Sequence, residues 1–116
     1  MRKKKDKNLL ARESIVNALT ELMNEKLIRN GRPEMSRITG TGCQLSGIAT
    51  AFVVANPNNK TEAVAAAVCV MGLAGEIGVS RMTSAEGNST LRNRIIDAIY
   101  NMDAETLNKG AKYEVR

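Results

Sequence analysis

Apolar and polar positions along this chain recur mainly with the period of helices. Between Asn8 and Lys26, Ile15, Leu19, Leu22 and Met23 return at three- and four-residue spacing, with Ala11 and Ala18 beside them. Arg12, Glu13, Asn17, Glu21, Asn24 and Glu25 lie mostly off that stripe. The spacing predicts an amphipathic helix that needs a partner surface. Asn30-Gly31 and Pro33 then signal a turn. Met35 to Thr39 is extended at most, and Arg37–Thr39 is one place for a short strand. A second helix is predicted from Gly42 or Cys43 to about Ala55, where Asn56-Pro57-Asn58-Asn59 breaks it.

The next predicted helix is the apolar centre of the chain. Asn59 or Thr61 can cap it, and Glu62 sits near its positive end. From Ala63 to Val79 it holds one charged residue, Glu76, in 17 positions. That run is short of the ~20 residues of a membrane span, rich in alanine and glycine, and interrupted by a carboxylate. A buried helix is the expectation, with Glu76 as a paired structural carboxylate. Gly72, Gly75 and Gly78 lie nearly on one face and predict close packing on a neighbouring helix. After a polar loop from Ser80 to Ser89, Asn88 or Ser89 can cap a helix from Leu91 to about Met102. Leu91, Ile95, Ile96, Ala98 and Ile99 are expected to face inward, and Arg92 and Arg94 outward. Asp103 to Gly110 reads as a short turn or helix. Lys112 to Arg116 reads as a tail, the other place for a short strand. The fold expected is mainly α, with four to five helices in a single domain.

Composition narrows the chemistry. With no tryptophan and one phenylalanine in 116 residues, the core must be built from Ala, Val, Ile, Leu and Met. No histidine is present, which removes imidazole-based triads and histidine zinc sites. Cys43 and Cys69, 26 positions apart, match no metal spacing. Reduced thiols and the lack of a secretory pattern lead to a cytoplasmic expectation. Residues 1–30 carry eight Lys/Arg against four Asp/Glu, and residues 31–116 carry nine against eight. The basic character therefore belongs to the front, where Arg2-Lys3-Lys4-Lys5 reads as a solvated run. The overall charge does not support a general nucleic-acid function.

The stretch with the most chemistry is Gly40-Thr41-Gly42-Cys43. Two glycines two apart let the backbone turn and gather N–H groups. A helix opening there has unpaired N–H donors and a positive end, both suited to an anion. Cys43 would stand in the first turn, where a helix end favours the thiolate. On spacing alone the pattern is common, and a helical cysteine is more often a small apolar core group.

A longer set of residues adds to this. Asn30-Gly31-Arg32-Pro33 leads into Ile38-Thr39-Gly40-Thr41-Gly42-Cys43. Leu45-Ser46, Ala51-Phe52, Asn56-Pro57, Gly72-Leu73-Ala74-Gly75-Glu76 and Ile95-Ile96-Asp97-Ala98-Ile99-Tyr100-Asn101 follow in order. Together they resemble the C-terminal part of hydroxyethylthiazole kinase, a ribokinase-like enzyme of thiamine salvage. The resemblance covers about residues 30–116 and divides the chain there, leaving 1–29 as a basic amphipathic helix unlike the family. Gly87-Asn88-Ser89-Thr90 stands where the family often has a more glycine-rich segment.

The resemblance implies an α/β ribokinase-like origin and ATP-dependent phosphorylation of 4-methyl-5-(2-hydroxyethyl)thiazole with Mg2+. It implies Cys43 as catalytic base where related kinases carry aspartate. Thr41, Gly42 and Cys43 become the anion hole, and Gly40 becomes a backbone contact to the thiazole. It also implies a trimer, with the site between subunits. The family's parallel sheet, its magnesium-linked carboxylates and its main ATP-gripping residues have no counterpart in these residues. A truncated or fused remnant, weakly active or inactive alone, is therefore the first expectation. A half-enzyme that needs a complementing chain is the second. A non-enzymatic module whose basic N-terminal helix binds nucleic acid or a protein is the alternative from another class. Uncovered apolar helix faces predict self-association.

Overall fold

The computed structural model describes Asn17 and residues 26–115. The amphipathic helix expected before Lys26, and the basic run ahead of it, lie outside the described residues. The rest is mainly α. Strand β1 (Lys26–Ile28) is followed by a 3-10 helix (Pro33–Arg37) and four α-helices: α1 (Thr41–Ala55), α2 (Lys60–Ser80), α3 (Asn88–Tyr100) and α4 (Ala104–Gly110). Strand β2 (Tyr113–Val115) closes the order.

Helix α2 is the axis, and α1, α3, α4 and β1 all pack on it. It is long and apolar enough by length and composition to cross a membrane, but 67% of its apolar window is buried inside the fold. Alanine supplies both helix propensity and a thin surface on which neighbours can close. Asn59 takes the cap position without a side-chain bond. On one side Val53 of α1 meets Ala63, Val64 and Ala65, with Ile28 of β1 and Phe52 against them. On the other, Met71 and Ala74 meet Leu91, Ile95 and Ala98 of α3, with Ile38 between.

Helix α3 buries Leu91, Ile95 and Ala98, whereas Ile96 is 41% exposed. At 100° per residue, position 96 turns away from the face that 91, 95 and 98 share. This corrects the expectation that Ile96 faces inward. Arg94 is half-buried, and its Nη2 lies 3.3 Å from Glu86 Oε2. Neither Asn88 nor Ser89 caps α3; Gly87 takes that position with no side-chain bond. Helix α4 is capped by Asp103, whose carboxylate accepts from Thr106 N–H at 2.7 Å.

The glycines of α2 have different neighbours from those expected. Of the three, Gly78 alone meets an α-helix, at Ile95 of α3. Gly72 lies under the backbone of Asn30, and Gly75 lies under Met35. A loop residue, a 3-10 helix and α3 share this bare stripe.

The tail is the strand, and Arg37–Thr39 is not: Arg37 ends the 3-10 helix. Strands β1 and β2 are antiparallel, with Lys26 opposite Val115, Leu27 opposite Glu114 and Ile28 opposite Tyr113. Arg29 N–H continues the ladder to Lys112 O at 2.8 Å. A two-stranded ribbon is marginal alone. Here Ile28 is fastened to the α1–α2 cluster.

Candidate active site

The segment that reaches the glycine turn is held at three points. Asn30 rests on Gly72, Met35 on Gly75, and Ile38 is buried in the core. Two residues after Ile38, Gly40 adopts φ +100°, ψ −2° and takes the cap position of α1. That left-handed conformation is strained for any residue with a Cβ. No atom stands within 4 Å of where a Cβ would be, so the requirement is conformational and not one of space.

The first hydrogen bond of α1 runs from Gln44 N–H to Gly40 O at 3.0 Å. The N–H groups of Thr41, Gly42 and Cys43 precede it and stand at the open, positive end of the helix. Cys43 is exposed and not in a disulfide. The structure thus brings Gly40, Thr41, Gly42 and Cys43 into one turn, and Cys43 is not the buried apolar group that spacing alone also allowed.

The face of α1 that carries Cys43 is open and lined by small side chains. Gly42, Ser46, Gly47, Thr50 and Ala51 are exposed along it, and Val54 is 69% exposed at its end. Ser46 and Thr50 spend their hydroxyls on the helix itself, bonding Gly42 O and Ser46 O. One turn beyond Cys43, Gly47 begins an apolar groove of about 500 Å³ that passes Ala51, Phe52, Met102 and Leu107. Among the described residues, no group of three or more His, Cys, Asp or Glu side chains could hold a metal ion.

Glu76 is a paired carboxylate. Its Oε2 accepts from Asn30 Nδ2 at 2.8 Å, and its Oε1 accepts from Lys112 Nζ at 2.8 Å. The role of Asn30 and Lys112 was not legible beforehand, because they are 82 positions apart and each had a sufficient local reading as turn or tail. Burial alone would raise the Glu76 carboxyl, but the bonds from Lys112 and Asn30 outweigh it and hold it below the usual range. A carboxyl lowered on folding stabilises the fold above its unfolded value, and that contribution is lost as pH falls through its folded value. Lys112→Ala leaves burial less opposed. Acid unfolding followed by circular dichroism is therefore expected to begin at higher pH than in the unmodified chain. An identical acid midpoint would show that the pair adds nothing to this linkage.

Comparison with known proteins gives the same direction as the turn. A family model described as the hydroxyethylthiazole kinase family matches residues 13–105. The match therefore starts ahead of Asn30. The hydroxyethylthiazole kinase of Clostridium acetobutylicum is 43% identical over 104 residues, covering 87% of this chain and 38% of that protein. That of Zea mays is 39% identical over 89 residues, covering 77% of this chain and 31% of the relative. That of Methanoculleus marisnigri is 36% identical over 101 residues, covering 87% of this chain and 35% of the relative. The chain thus spans between 31% and 38% of the length of these curated relatives. The family match takes in far more than half of the chain, which belongs to the hydroxyethylthiazole kinase family.

Proposed function

We propose that the chain carries the phosphoryl-transfer turn of a hydroxyethylthiazole kinase and serves ATP-dependent phosphorylation of 4-methyl-5-(2-hydroxyethyl)thiazole. The observation that carries this reading is the turn itself: Gly40 at φ +100° opening α1, with Cys43 exposed in the first turn. The substrate hydroxyl oxygen attacks the terminal phosphorus of ATP. The new O–P bond forms as the bond to the departing diphosphate breaks. The hydroxyl proton passes to Cys43 Sγ, acting as general base. The N–H groups of Thr41, Gly42 and Cys43 receive the charge that develops on the transferring oxygens. Gly40, lacking a side chain, lets the thiazole approach the backbone.

The resemblance implies Mg2+, but among the described residues no group of three or more His, Cys, Asp or Glu could hold it. The open face of α1 and the exposed β1–β2 ribbon are surfaces that the sheet of an α/β ribokinase-like fold would cover. A second copy of the chain or a complementing chain would supply that cover, and the site's opposite wall with it. Cys43 and Cys69, neither of them in a disulfide, suit a reducing cytoplasm.

The test is an exchange of parts. Residues 30–116 replace the matching segment of the Clostridium acetobutylicum relative, and the purified chimera is assayed for the phosphorylated thiazole alongside the 116-residue chain. Turnover by the chimera is expected, with much weaker turnover by the chain alone. A folded chimera that binds ATP yet makes no product would overturn the reading.

A further inference from the structure

Asn30 makes more polar contacts than a turn residue requires. Its Nδ2 donates to Glu76 Oε2 at 2.8 Å and to Gly110 O at 2.9 Å. Its Oδ1 accepts from Lys112 N–H at 2.7 Å. Both amide hydrogens and the carbonyl are thereby engaged. Its backbone lies so close to Gly72 that a Cβ there would fall 2.7 Å from it.

From this anchor to the glycine turn the chain has little slack. Pro33 starts a 3-10 helix, Ser36 Oγ donates to Pro33 O at 2.8 Å, and Ile38 N–H bonds Met35 O at 3.3 Å. Ile38 is buried, and only Thr39 separates it from Gly40. From Pro33 onward these bonds and the Met35 and Ile38 contacts tie the segment from Asn30 to Gly40.

We infer that Asn30 is a positioning residue for the glycine turn, held by Glu76 of α2 and by Gly110 and Lys112 beyond it, so that these distant groups set where the first N–H groups of α1 point. Lys112 faces Glu76 directly, and Arg32 is the next cation near that carboxylate. The inference rests on reading Gly40–Cys43 as the reacting turn.

Its test is read without turnover, so a failed kinase assay and a failure here are distinguishable. Fast amide exchange is measured by NMR on the full chain, on Asn30→Ala and on Asn30→Asp. In Asn30→Ala, exchange at Gln44, whose N–H bonds Gly40 O, is expected to rise about tenfold, while Ile95 and Ala98 in α3 keep their rates. Asn30→Asp sets a second carboxylate against Glu76. It is expected to match the alanine variant at neutral pH and to recover on acidification, when the two carboxyls share a proton and the hydrogen bond reforms. The alanine variant has no such recovery. Lys112→Ala, which keeps the backbone bond to Asn30, serves as the milder variant if Asn30→Ala does not fold, with a smaller rise at the same amides. Unchanged exchange at Gln44, or equal acceleration at Ile95 and Ala98, would overturn the inference. The network would then support the fold at large and not the turn.

Discussion

Replacing Cys43 by alanine is expected to lower turnover by about 10²–10⁴-fold, the usual contribution of a positioned general base. The comparison is made in whichever form of the protein phosphorylates the thiazole alcohol, chain or chimera. The substitution should leave the fold intact, because Cys43 is exposed and alanine favours a helix. It keeps the N–H groups of the turn, so the phosphate cradle survives and KM for ATP should hardly change. Cys43→Asp restores a base at the same place, and a carboxylate is welcome at a helix N-terminus. Part of the rate should return. Equal kcat in the alanine variant and the unmodified protein would remove Cys43 from the reaction and leave the turn as a cradle only.

Gly72→Ala is expected to destabilise the fold by about 1–3 kcal/mol, as overpacking does, with lost hydrogen bonds of Asn30 adding to it. The new Cβ would lie 2.7 Å from Asn30 C and Cβ and 2.8 Å from Asn30 O. These neighbours are mostly main chain and cannot swing aside as a long side chain would. Relief requires the segment to lift off α2, which strips Asn30 from Glu76 and Gly110. Gly42→Ala is the control, since nothing stands within 4 Å of that position and its φ is ordinary for a helix. There the change should be neutral or slightly stabilising. Urea unfolding of both variants distinguishes the cases, and equal midpoints would show that the segment is loosely seated.

The helices were legible because their signals are local. Asn56-Pro57 ends α1 where a proline must, and Asp103 caps α4 through a bond three residues away. The positive φ of Gly40 could be anticipated because glycine alone tolerates it cheaply. Periodicity resolves a face only coarsely, and Ile96 turns away from the stripe that Leu91, Ile95 and Ala98 form. The partners of Gly72 and Gly75 were misread because a bare stripe on a helix accepts a turn or a short 3-10 helix as readily as a long α-helix. The tail strand could be named, but its pairing with β1 and the Asn30 network left no local mark. Their halves are separated by more than the whole length of α1 to α4, and a three-residue strand carries too few positions for alternation to register.

The pairing of Asn30 with residues 110 and 112 also fixes an order of assembly during synthesis. Helices α1 and α2 can meet as soon as both have left the ribosome, since their contacts are close in sequence. The anchor of the turn cannot close until a point 82 residues after Asn30 has emerged. Until then Asn30 can rest on Gly72 without its bonds to residues 110 and 112, and the glycine turn has its helix but not its bearing. A nascent chain paused ahead of Lys112 would hold much of its core and still lack a seated site.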